Sequence, residues 1–268
     1  MLAAGGGYSL AEVCCPGAPA GFAQPEAEHG HVLVATYRGA FVRRVAGREV
    51  FVDGSVAYLS APGTVEEFAH PVPGGDVCTV IRFDPGLIAA LSGGAPDLTD
   101  PALPMNGASE LALRQATELA RVGDPDGSLA ERVARFASGL LARRFPDRVA
   151  SGRPATAAAR RRLVSQTKAA LAADSRLGLI ELSRLAGCSP HHLSRVFTQL
   201  TGSTVSQYRN RRRVTDALQR IGDGEQDLAT LAAELGFSDH SHLTRTIRAA
   251  TGHPPAACRT LLTGQPQQ

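Results

Sequence analysis

Two sets of side chains in this sequence have types and spacings suited to chemistry. The first is His191, Ser194, Arg195 and Thr198, echoed further on by His240, Ser241, His242, Arg245 and Arg248. In both stretches apolar residues recur at helical spacing, Leu193 with Val196 and Phe197, then Leu243 with Ile247. Such residues anchor one face of a helix and leave the polar ones on the other. Hydroxyls, imidazoles and guanidiniums on that outer face supply donors and acceptors for base edges and cations for phosphates. The second set is Cys14, Cys15, His29, His31, Glu66, His70, Asp76 and Cys78, which includes soft and borderline metal ligands.

The second set is less constrained by pattern. His29-Gly30-His31 has the His-x-His spacing of metal-binding barrels, but residues 32–39 contain no carboxylate to complete a ligand set. Ordinary buried thiols and surface histidines are therefore the preferred account, and no cofactor is expected. A metal, if held, would draw on Cys15, His31, His70 and Cys78. The adjacent Cys14 and Cys15 lack a neighbouring basic residue to activate a thiol.

The elements that must position these residues follow from periodicity. Residues 8–83 read as short strands punctuated by Gly and Pro, with runs at 31–37, 40–45, 49–52, 56–59 and 77–83 and a hairpin turn at Ala46-Gly47-Arg48. Ser109 to Val122 and Leu129 to Phe145 change to helical spacing, which suits two helices covering a barrel or forming a dimer interface. Residues 146–162, with Pro154, read as a linker that becomes helical near its end.

The rest of the chain is helical and repeated. Ala186 to Phe197 matches Leu235 to Ile247, with one extra residue in the second turn, and the match extends to Thr201-Gly202 and Thr251-Gly252. Each copy has an apolar helix, a glycine suited to a left-handed turn, a capping Ser189 or Ser238-Asp239, and a second helix. Between the copies, Val205 to Ile221 reads as one connecting helix. About fifteen helical residues span roughly 22 Å, so the two second helices could sit about one DNA turn apart. Arg211, Arg212 and Arg213 cannot share one face of that helix. One or two are expected at phosphate and another paired with Asp216 or in water.

The stretch Ala232 to Arg245, reading Ala-x-x-Leu-Gly-Phe-Ser-Asp-x-Ser-x-Leu-x-Arg, continues into Thr251-Gly252-x-Pro254-Pro255 and Arg259. With the Ser-x-x-x-Leu-Ser-Arg-x-Phe of the first copy, it resembles the AraC family over about 100 residues. That resemblance implies a module of seven helices with two helix-turn-helix units. It implies base contacts from His191, Ser194, Arg195, His240, Ser241, His242 and Arg245, with Thr198, Arg209 and Arg248 expected at phosphates. Leu243 and Ile247 stand where the family usually has aromatics, and Cys258 where it has tyrosine. The β-rich region before it looks like the cupin sensor domain of many members.

The expected fold is thus α+β in two domains, a cupin-like barrel with two covering helices over 1–145 and a double helix-turn-helix domain over 163–262. A linker is expected at 146–162 and a disordered tail at 263–268. Charge divides accordingly. Residues 160–262 hold 15 basic and 8 acidic side chains, whereas the remainder holds 13 basic and 17 acidic, so only the C-terminal part suits a polyanion. Arginine richness partly reflects coding bias, since Lys168 is the only lysine.

The function expected is a transcription regulator, an activator by family habit, with no catalytic activity. Its expected partners are double-stranded DNA, RNA polymerase, an unknown small-molecule effector and a second copy of the chain, with no membrane. Five cysteines in irregular positions and the absence of a signal-peptide pattern suit the cytoplasm. Two other classes remain open. One is a metal-dependent cupin enzyme fused to the DNA-binding part, and the other is a sensor whose Cys14 or Cys15 accepts a transferred group.

Overall fold

In β4 (His31–Gly39), Val32 and Val34 face one way and Leu33 and Ala35 the other; Cys78 and Val80 oppose Ile81 and Phe83 in β9 (Asp76–Phe83). Strands apolar on both faces must be covered on both, and the architecture follows from that. In the computed structural model, residues 1–17, 21–92, 102–124, 128–141 and 154–263 are described, without the side chains of 154–157.

Beside these two strands lie β1 (Ala3–Gly5), β2 (Tyr8–Cys15), β7 (Val56–Ser60) and β10 (Ala102–Pro104), in an antiparallel sheet ordered β1-β2-β9-β4-β7-β10. A second sheet, ordered β3-β8-β5-β6, holds β3 (Glu26–Ala27), β5 (Phe41–Val45), β6 (Arg48–Val52) and β8 (Val65–Ala69). Val32, Val34, Tyr58 and Cys78 of the first sheet pack against Phe41 and Val52 of the second. The expected hairpin joins β5 to β6 through Ala46 and Gly47, both left-handed at φ 47° and 76°, which matches the twist of the strands.

The opposite face of the larger sheet is covered by α1 (Pro85–Ser92), α2 (Gly107–Val122) and α3 (Leu129–Leu141), through Ile88, Leu113, Ala116, Val133, Phe136 and Leu140. Two of these are the expected helices and α1 is additional. The part of the second expected helix beyond Leu141 lies outside the described residues, as do 142–153 and 264–268.

Then follow α4 (Pro154–Ala173), α5 (Leu179–Leu185), α6 (Pro190–Thr201), α7 (Val205–Gly222), α8 (Leu228–Glu234), α9 (His240–Thr251) and α10 (Pro255–Thr263). The fold is therefore α+β, with sheets first and helices last. The expected linker needs correction at its C-terminal side, because α4 already starts at Pro154 and carries Arg160 to Arg162. Proline is pre-set for the first helical position, and the alanines after it favour continuation. No helix among the described residues is long and apolar enough to cross a membrane.

The helical part has two cores. One gathers Val164, Leu171, Leu182, Leu193, Val196, Phe197, Val205 and Tyr208 around the first repeat. The other gathers Val214, Leu218, Ile221, Leu231, Phe237, Leu243, Ile247 and Cys258 around the second, and it includes Leu111 from α2. A helix of the N-terminal half thus serves two cores at once.

Candidate nucleic-acid interface

The two repeats build the same device. After α5, Gly187 turns the chain at φ 63°, and Ser189 caps α6 by accepting from the His192 N–H at 3.2 Å. After α8, Gly236 does so at φ 75°, and Asp239 accepts from the His242 N–H at 2.7 Å. Both second helices have 12 residues and end on a left-handed glycine, Gly202 or Gly252. Thr201 and Thr251 then fold their hydroxyls back onto Phe197 O and Ile247 O.

Leu193, Val196 and Phe197 fix α6 inward, and Leu243 and Ile247 fix α9, all of them buried. This leaves His191 and Arg195 exposed on α6 with Ser194 and Thr198 half-buried, and His240, Ser241, Arg245 and Arg248 exposed on α9. His242 is held differently. Its Nδ1 lies 3.3 Å from the donating Ser238 N–H and 3.1 Å from Ser238 Oγ, and its ring meets Phe237 edge-on at 5.4 Å. That imidazole is engaged by its own turn.

The arginines of α7 also divide. Arg212 is buried and paired with Asp216 at 3.1 Å, as one of the trio was expected to be. Arg213 is buried too, donating to Ser175 O at 3.1 Å and lying over the Phe237 ring at 5.7 Å. Neither guanidinium is exposed to a polyanion in solution. Arg209 is half-buried, its Nη1 donating to Leu177 O at 3.4 Å. Arg220, with Glu225 at 2.8 Å and Glu234 at 2.7 Å, fastens α7 to α8.

Residues 182–260 match the family model described as a helix-turn-helix domain. The chain is 33% identical over 82 residues to the multiple antibiotic resistance protein MarA of Escherichia coli, covering 31% of this chain and 65% of MarA. It is 28% identical over 87 residues to the arabinose operon regulatory protein of Salmonella typhimurium, covering 32% of this chain and 31% of that protein. These helices form an AraC-family helix-turn-helix domain. A longer match, 34% identical over 125 residues, joins this chain to the HTH-type transcriptional regulator RipA of Corynebacterium glutamicum, over 47% of this chain and 36% of RipA. The chain thus spans less than two thirds of the length of these relatives.

Within the AraC-family domain, the aliphatic Leu243 and Ile247 and the thiol Cys258 are fully buried. Leu111 from α2 packs into the same core. The network that joins this domain to the sheets escaped the sequence reading. Asp53 is fully buried and accepts from Ser55 N at 2.9 Å, Ser55 Oγ at 2.6 Å and the Tyr208 hydroxyl of α7. Burial opposes its charge, but Lys168 and Arg212 outweigh that and hold the Asp53 carboxyl below its ordinary value. Thr215 donates to Glu110 Oε2 and Arg114 to Gln219 Oε1, each at 2.8 Å. Its one signal in the sequence was the solitary Lys168.

Of the metal candidates, Cys15 and His70 come together with Asp76, and Cys78 bonds to Asp76 at 3.0 Å. His31 does not join them, because it pairs with Phe83 at the far end of β9. Glu66 is taken by the buried Arg43, at 2.6 Å.

Proposed function

We propose that this chain is a sequence-specific DNA-binding transcription regulator, with α6 and α9 reading two successive major-groove segments. The observation that carries the reading is the pair of equivalently capped helices whose outer faces hold His191, Ser194 and Arg195, then His240, Ser241 and Arg245. Base edges call for such donors, acceptors and guanidiniums on a rigid helix. Arg248, Thr198 and Arg209 are assigned to phosphates, and His242 to shaping the turn as well as to base contact. The helices α4 to α10 are taken as the seven-helix AraC-type module. The 18 residues of α7 give it a length of about 27 Å, in keeping with half-sites one turn apart.

The two-sheet body is taken as a cupin-like sensor or dimerisation domain, 1–145, joined to the DNA-binding part by the residues up to α4. A small effector would act by biasing the docking of the two parts. A cleft of about 280 Å³ between β6, α4 and the α6–α7 corner, lined by Phe51, Val164, Lys168, Leu200 and Tyr208 among others, is the proposed place. RNA polymerase contact, pairing of two chains, activation rather than repression and a cytoplasmic location belong to the same reading. Selection of bound duplexes from a random pool tests it. A bipartite site with half-sites about 10 base pairs apart is expected, and a pool without enrichment would overturn the reading.

A further inference from the structure

We propose that Cys15, His70 and Asp76, with Cys78 as fourth donor, form a binding site for a borderline-soft divalent cation, zinc above all. The site lies outside the DNA-binding surface, at one end of the gap between the two sheets, and does not depend on how the helices are used.

Three elements bring the donors together. Cys15, the last residue of β2, is directly opposite Asp76, the first residue of β9. Residues so paired project to the same side of a sheet, and Cys78, two residues on from Asp76, joins them. His70 arrives just past β8, from the other sheet. One ligand atom each from Cys15, His70 and Asp76 lies within 4.8 Å of the others. A tetrahedral zinc with bonds of about 2.0–2.3 Å sets its donors roughly 3.3–3.8 Å apart, so modest side-chain rotation brings these three into range, with Cys78 Sγ beside them at 3.0 Å from Asp76 Oδ2.

The backbone there is fixed. Gly75 and Gly39 are left-handed, at φ 69° and 75°, and a Cβ at Gly75 would lie 1.9 Å from Cys15 O. A Cβ at Gly39 would lie 2.0 Å from Gly75 O. Only glycines allow β2, β4 and β9 to converge this closely beside the donors.

The polar atoms at the site are incompletely matched to one another. His70 and Asp76 are nearly buried, at 10% and 5% side-chain exposure. His70 Nε2 lies 2.8 Å from Asp76 Oδ1 without the alignment of a hydrogen bond, and the buried His70 Nδ1 has no partner. Buried ring nitrogens are normally satisfied. An imidazole and a carboxylate aimed past each other, beside a thiol, are the arrangement that a shared cation completes. Thr36 Oγ1, 3.3 Å from Cys78 Sγ, and Phe41, with its ring 6.0 Å from that of His70, form the surrounding shell. A mixed sulfur, nitrogen and oxygen donor set disfavours calcium and magnesium, which take oxygen ligands. Cys15 is half-buried, which leaves an entry path.

The test uses the full chain, purified with zinc, dialysed and analysed for metal, then stripped and titrated with cobalt(II) as a spectroscopic probe. One zinc per chain is expected, with a thiolate-to-cobalt charge-transfer band and tetrahedral ligand-field absorption. His31→Gln keeps both. Cys15→Ser and His70→Gln each lower zinc affinity by at least about tenfold, and Cys15→Ser weakens the thiolate band. Should a variant fail to fold, the cobalt spectrum of the unaltered chain decides alone. Substoichiometric zinc with no thiolate band overturns the proposal, and so does binding undiminished in folded Cys15→Ser and His70→Gln. DNA selection on the same preparations separates this outcome from failure of the regulator reading.

Discussion

At Asp53, burial and charge act in opposite directions. Its carboxyl is held below the ordinary value because Lys168 and Arg212 face it across the join between sheets and helices. A carboxylate whose pKa falls on folding contributes stability that is full above its unfolded pKa, about 3.9, and lost as pH drops through the lower folded value. Replacing it also removes the counter-charge of the buried Lys168, while Arg212 keeps Asp216 at 3.1 Å, and stranding a buried charge costs about 3–5 kcal/mol in comparable cases. Asp53→Asn is therefore expected to destabilise by that amount in urea at pH 7, and by less at pH 3. A loss under about 1 kcal/mol at pH 7 would remove Asp53 from this role. On the surface proposed for DNA, Arg195→Ala and Arg245→Ala are each expected to cost about 1–3 kcal/mol on the selected site and to relax discrimination there. Arg248→Ala should weaken all duplexes alike and reduce the salt slope by about one. Equal losses on selected and random DNA for Arg195→Ala would contradict its base-reading role.

The helix-turn-helix units were legible in the sequence because their information is local. A glycine, a capping side chain and an apolar residue every three or four positions specify the turn and both helices. The structure adds a difference between the copies that local pattern does not carry. A methyl on Gly187 meets open space, whereas one on Gly236 would lie 2.8 Å from Arg213 Nη2 and 3.0 Å from Arg176 Cγ. Both pay for a left-handed non-glycine residue, about 1–2 kcal/mol, but only the second also displaces the arginine over Phe237. Gly236→Ala is expected to lower the melting temperature more than Gly187→Ala, and the reverse order would show that Arg213 yields freely. Register was not legible. His31 and His70 looked like partners by type, yet strand pairing puts His31 beside Phe83 and Asp76 beside Cys15, at opposite ends of β9. The dual packing of α2 was also hidden. Leu111 and Leu113 are two positions apart and face different cores, and a single apolar stripe does not announce two.

Across the whole molecule, sheets and helices meet at points with no room to spare. Gly107 opens α2 against the end of α9, where a Cβ would lie 2.8 Å from Ala250 O and 2.9 Å from its Cβ. Gly54 meets Thr215 of α7 with the same lack of room, at 2.9 Å. Gly107→Ala is expected to force α2 and α9 apart, at about 1–3 kcal/mol, and to increase amide exchange in both helices together. Protection lost from α2 alone would show that the two helices move independently. The basic C-terminal part and the more acidic remainder therefore sit on one frame, although their charges suggest separate pieces.

Leu111 has a practical corollary for anyone who wishes to treat this chain as interchangeable parts. Cut at the sequence boundary near residue 150, a C-terminal fragment would keep every side chain assigned to DNA yet lose one wall of the core behind α9. A chimera that carries those helices on a foreign N-terminal domain would inherit the same gap, unless the new domain presents a leucine-bearing helix of its own at that place. Portability here is limited by a core residue outside the surface proposed for DNA.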